Sequence, residues 1–164
     1  MSRPSMSVPN QFCAPGGRVR RAVAIAVGST VQRYGAKIAA KTITASYLRD
    51  DGSVGAAVVS DIEVAAFAGA ALALIPKGVA NDCVKDGELT EMLADNFHEV
   101  LNVASAWFNG KGAPHVSLGE VTDPGGRPAQ TVQAVVANHA ERADFEVEVD
   151  GYGKGVLRFL SVAY

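Results

Sequence analysis

Cysteine is scarce in this sequence: only Cys13 and Cys83 occur, far apart and in unlike surroundings. Two such residues make neither a disulfide scaffold nor a zinc-ligand spacing, and a reducing, cytoplasmic setting is the expectation. Net charge is nearly absent too. A formal value of −2 over 164 residues lends no support to nucleic-acid binding, which calls for a basic patch. Aromatics are 7% of the chain, so the core is expected to be packed from Ala, Val and Gly. No apolar run reaches the roughly 20 residues that cross a bilayer. Residues 22–28, AVAIAVG, follow Arg18, Arg20 and Arg21, but the run is short. A lead containing Pro and Gly stands where a signal peptide would carry its charges. The expectation is a protein without membrane insertion.

Several kinds of catalytic site are missing as well. No serine lies on a G-x-S-x-G turn. His115 and His139 have no ligand spacing to another His, Cys or carboxylate, so no metal site is expected. The Gly-rich piece Asp123-Pro124-Gly125-Gly126 lacks the lysine and the strand-to-helix context of a phosphate loop.

What is present is a succession of short elements. Residues 1–17, with Pro4, Pro9, Pro15, Gly16 and Gly17, read as a disordered or loosely attached tail. Residues 18–164 then form one domain, large enough for a core. Residues 20–27 suit a strand, and 29–40 suit a helix capped by Ser29 or Thr30, with Val31, Tyr34 and Ile38 on one face. TITASYL at 42–48 is β-prone. Asp50-Asp51-Gly52 marks a hairpin turn before a strand at 55–62. The run VAAFAGAALALI at 64–75 suits a strand, or a helix by its alanine content; Pro76 ends it, and a short helix over 76–86 follows. Gly110, Gly112 and Pro114 break the chain before a strand at 116–121. Residues 123–128 form a turn and loop. Residues 130–137 are a strand or a short helix, with Val132, Val135 and Val136 apolar. Phe145, Val147 and Val149 alternate with Glu146, Glu148 and Asp150, and Val156, Leu157, Phe159 and Val162 follow a Gly-rich turn. That is a half-buried hairpin.

The most informative stretch is 87–109, GELTEMLADNFHEVLNVASAWFN. Leu89, Met92, Leu93, Phe97, Val100, Leu101, Ala104, Trp107 and Phe108 recur at spacings of three and four, the mark of one apolar helix face. Glu91, Asp95, His98, Glu99, Asn102 and Ala106 share the other side, at about 100° per residue. A solvated stripe usually mixes Lys with Glu, and this one has neither Lys nor Arg. Glu99 and Asn102, three apart, project from one patch.

Asp95-xxx-Glu99-xx-Asn102 resembles the helix motif of the CheC/CheX/FliY family of chemotaxis phosphatases, D/S-xxx-E-xx-N-xxx-G. The order of elements around it is also similar, over roughly residues 54–164. The motif's closing glycine is Ala106 here, a departure that bears on activity. A single Glu-xx-Asn helix makes the chain nearer the CheX type than the two-site CheC type. The resemblance implies an α/β (α+β) layered domain, an antiparallel sheet of about five or six strands with helices packed on it. It favours a helix from about Ser29 and a strand for 64–75. It implies hydrolysis of the aspartyl phosphate on a CheY-like response regulator. Asn102 would orient the attacking water, and Glu99 would pair with the regulator's lysine. Asp95, His98 and Ala106 would contact the partner. No cofactor of the chain's own is implied, because the regulator supplies the magnesium; homodimerisation is implied as well. Two other functions stay open. One is a catalytically silent adaptor of this fold, binding a response regulator or a flagellar-switch protein. The other is a PilZ-like nucleotide-binding module, suggested by Arg20-Arg21, although Asp61-Ile62-Glu63 does not supply that family's D/N-x-S-x-x-G segment.

Overall fold

The computed structural model describes residues 29–32, 41–110 and 112–163, the first four by their backbone. Six antiparallel strands form one sheet in the order β1-β5-β6-β3-β2-β4. They are β1 (Ser29–Gln32), β2 (Thr42–Arg49), β3 (Val54–Asp61), β4 (Val116–Val121), β5 (Glu141–Val149) and β6 (Gly153–Ser161). The helices are α1 (Ile62–Leu72), α2 (Lys77–Asp86), α3 (Glu91–Ala104) and α4 (Gln130–Ala137), with a 3-10 turn, Ser105–Trp107, after α3. The layered α+β architecture expected from the sequence is the one observed.

The β2–β3 hairpin turns where the Asp-Asp-Gly signal lies. Gly52 adopts a φ of 82°, the left-handed region that glycine enters without steric cost. The Asp51 carboxylate takes the Ser53 N–H at 2.9 Å and its hydroxyl at 2.6 Å, closing the turn. The β5–β6 hairpin pairs in register from Glu141↔Ser161 to Val149↔Gly153. Ala143, Phe145, Val147 and Val149 face the core, as their alternation requires.

Residues 64–75 are not a strand. Chain direction reverses at Asp61, whose carboxylate caps α1 by accepting the Val64 N–H at 3.0 Å. Alanine then favours the helix. The misleading feature is burial: Ile62 and every residue from Val64 to Ala70 are enclosed, so no polar stripe betrays the helical period. One side lies on the sheet and the other beneath α3.

The helix expected from Ser29 is also corrected. Ser29–Gln32 is a strand at the sheet edge, with Thr30 opposite Val147; the partner lies far along the chain, where local propensity carries no information. Residues 33–40, like 1–28 with the strand at 20–27 and the Arg20-Arg21 pair, lie outside the described residues. Residues 130–137 take the helical alternative, and Val132 and Val135 pack with Ala57 on the opposite face of the sheet.

Candidate functional site

Helix α3 begins at Thr90, whose hydroxyl accepts the Leu93 N–H at 3.3 Å. This N-cap satisfies one of the unpaired donors of the first turn. Leu93, Phe97, Leu101 and Ala104 are buried, and Val100 and Trp107 are partly buried against the same core. Glu91, Asp95, His98, Glu99, Asn102 and Ala106 are all exposed. The stripe read from the sequence is therefore one continuous solvent face. Met92, assigned to the apolar face, is instead 60% exposed, because it lies in the first turn at the margin of that face.

Three side chains hold the helix under this face. The Tyr47 hydroxyl donates to the Leu101 carbonyl at 2.7 Å, one residue before Asn102. Burial pushes the Tyr47 hydroxyl up from its ordinary value, so it stays a neutral donor. Asn96 donates from its side-chain amide to the Gly69 carbonyl of α1 at 2.9 Å. Gly69 lies so near the Leu93 carbonyl that an added Cβ would stand 2.6 Å from that oxygen; only glycine allows the two helices this approach. Beyond the helix, Asn109 pairs with the Val116 backbone through both ends of its amide, at 2.7 Å and 2.9 Å, and so fixes the exit into β4. Tyr47, Phe108, Trp107, Phe145 and Phe159 stack beneath, with ring centroids 4.4–5.9 Å apart. Trp107 and Phe108 act in core packing, as their helical spacing indicates.

Electrostatically, α3 carries Glu91, Asp95 and Glu99 and no Lys or Arg, and its last turn has no basic residue. The negative end of the helix dipole beside Asn102 is therefore not offset by a cation on the helix. The helix presents an anionic face with one exposed uncharged amide, Asn102. The other histidines lie elsewhere: His115 contacts Asp50 at 3.4 Å, and His139 contacts the Val136 carbonyl at 3.0 Å. No cluster of three or more His, Cys, Asp or Glu able to hold a metal occurs among the described residues. No helix among them is long and apolar enough to cross a membrane.

No family model matches the chain, and no curated protein matches it. Solved structures do. A chain of the FliM–SpeE complex from H. pylori is similar with a TM-score of 0.58 and 10% identity, over 95% of this chain and 90% of that one. A chain of the CheX–CheY–BeF3–Mg2+ complex from Borrelia burgdorferi matches with a TM-score of 0.55 and 11% identity, over 96% and 99%. The FliM middle domain from H. pylori matches at 0.51 and 9%, over 95% and 94%. The chain has the CheC/CheX/FliY-type fold. Within that CheX-like fold, Asp95, Glu99 and Asn102 follow one another along the exposed side of α3, and Ala106 is exposed in the 3-10 turn that continues it. Sequence reasoning missed the residues that position this helix, namely Tyr47, Asn96, Gly69 and Asn109. Only Asn96 left a trace, as a polar residue at the edge of the apolar stripe.

Proposed function

We propose that this CheX-like chain accelerates hydrolysis of the aspartyl phosphate on a CheY-type response regulator, with α3 as the working element. The observation that carries this is the exposure of Glu99 and Asn102, three residues apart, on a helix anchored from below. Hydrolysis requires a water oxygen to attack phosphorus in line with the aspartyl oxygen. The P–O bond to the regulator then breaks, releasing its carboxylate and inorganic phosphate. Phosphoryl transfer of this kind depends mainly on positioning and electrostatics. Asn102 suits the task because a carboxamide both donates and accepts and does not titrate. It accepts a hydrogen bond from the water and aims it at phosphorus. Glu99 pairs with a lysine of the regulator, which sets the register of docking. Asp95, His98 and Ala106 meet the partner around this pair. The magnesium that neutralises the phosphoryl group belongs to the regulator.

A second reading has its own support. Ala106 replaces the motif's glycine, and FliM domains share the fold. An adaptor that binds a response regulator or a switch protein without chemistry fits both facts.

The decay of a phosphorylated CheY-type receiver from the same organism, with and without this chain, separates the two. Acceleration by wild type that Asn102→Ala reduces by at least about 100-fold supports water positioning. Binding without acceleration identifies the adaptor. No binding by wild type would eliminate the phosphatase and the receiver-binding adaptor, leaving only an adaptor for a switch protein.

A further inference from the structure

The exposed face of α3 is not purely polar. Met92 is 60% exposed and Val103 is 54% exposed, and both side chains stand beside the acidic stripe. Residues 92, 96, 99 and 103 follow one line of the helix surface, at successive spacings of four, three and four. Asn96, within this line, is turned to the Gly69 carbonyl of α1. Met92 and Val103 therefore border the stripe on the side nearer α1. Asp95, Asn102 and Ala106 lie along its middle. At 1.5 Å per residue the two apolar side chains are about 16 Å apart along the axis, one at each end of the segment that holds Asp95, Glu99 and Asn102.

We infer that Met92 and Val103 are specificity-determining contacts, which select receivers carrying an apolar strip beside their cationic group. This inference rests on the function proposed above. Charge decides the occupant. Glu91, Asp95 and Glu99, with no Lys or Arg on the helix, complement a basic surface, and a second copy of this chain would bring carboxylates against carboxylates. Charged groups at such an interface set encounter and register, while desolvated apolar anchors supply much of the retention. Met suits this place, since its flexible thioether adapts to an uneven surface. Glu99 and Asn102 alone would engage any receiver, because their targets belong to the phosphorylation site. The flanking pair adds choice among receivers.

The test uses receivers from the same organism, each held in the active form with beryllofluoride and Mg2+, titrated calorimetrically with the full chain. Met92→Gln with Val103→Thr removes the apolar surface at nearly constant size; Met92→Ala with Val103→Ala removes it while favouring the helix. Thermal unfolding checks that each variant is folded. For the receiver that wild type binds best, both double variants are expected to weaken binding at least tenfold and narrow its advantage over the other receivers. In the decay assay the concentration for half-maximal rate rises by the same factor, and the maximal rate changes less than twofold. Asn102→Ala gives the opposite pattern, lowering the maximal rate at nearly unchanged affinity. Wild-type affinity and unchanged receiver preference in both double variants would overturn the inference and leave the proposed function standing. Failure of wild type to bind any receiver would overturn both.

Discussion

The Tyr47 hydroxyl on β2 is bonded to the Leu101 carbonyl on α3, so the central sheet grips the helix one residue from Asn102. Removing the hydroxyl leaves a buried carbonyl without that donor. Tyr47→Phe is expected to cost about 1–3 kcal/mol, the penalty for half of a buried hydrogen bond. Urea unfolding measures the loss. The decay assay should register a lower maximal rate in the same variant, because the end of α3 carrying Asn102 loses its anchor.

The crossing of α1 and α3 tests close packing more directly. An added Cβ at Gly69 would stand 2.6 Å from the Leu93 carbonyl oxygen, whereas nothing lies within 4 Å of a Cβ built at Gly78 on α2. Gly69→Ala should destabilise by about 1–3 kcal/mol, as overpacking does. Gly78→Ala should be neutral or stabilise by up to about 1 kcal/mol through helix propensity. Gly69→Ala should lower the melting temperature, and Gly78→Ala should leave it unchanged or raise it.

Asp61 makes stability depend on pH in the mildly acidic range. Its carboxylate accepts the Val64 N–H of α1 and, at 2.8 Å, the Val156 N–H of β6. Burial pushes the group up to about 6 from 3.8, against the pull of these two donors. Between those values the folded chain holds a proton that the unfolded chain has released. The contribution of Asp61 is therefore complete below the lower value and is lost as pH rises through about 6, on the order of 2–3 kcal/mol. Asp61→Asn should flatten this dependence in urea midpoints measured from pH 4 to 8.

Asp144 acts in the opposite sense and at lower pH. Burial alone would raise its carboxyl, but hydrogen bonds from Arg142 and Arg158 overcome that and hold it below the usual range. Stability from this group is present above the ordinary carboxylate value and is lost as pH falls through the depressed one. The Asp144 side chain is 1% exposed, with Arg142 at 2.6 Å and Arg158 at 2.9 Å. Asp144→Asn leaves two guanidinium groups, both still partly open to water, facing a neutral amide and should cost about 1–3 kcal/mol. Lys154→Ala, which breaks an exposed pair with Glu148, should cost less than about 1 kcal/mol. Denaturant titration of the two variants makes the comparison.

Helix α3 and the β5–β6 hairpin were legible because each has one wet face and one dry face. Water imposes a period on such elements, 3.6 for the helix and 2 for the strands. Glu99, Asn102 and their neighbours could be placed on one exposed patch from spacing alone. Helix α1 had no such signature. It is enclosed between the sheet and α3, so its sequence reports burial without direction. Likewise Ser29–Gln32 looked helical by local signals and became an edge strand by pairing with β5.

The sequence by itself determined where the polar stripe lies and where the hairpins turn, since both follow from local propensity and from contact with water. The core, expected from Ala, Val and Gly, also encloses Tyr47, Phe67, Phe97, Phe108, Phe145 and Phe159, which tertiary packing gathers into one cluster. Only the tertiary structure decided what lies under the stripe. Tyr47, Gly69 and Asn109 act through partners 54, 24 and 7 residues away along the chain, respectively. The burial of Asp61 and Asp144 likewise depends on chain segments brought together by folding. Long-range pairing leaves no periodic mark in a sequence, because its free energy is gained only when distant segments meet.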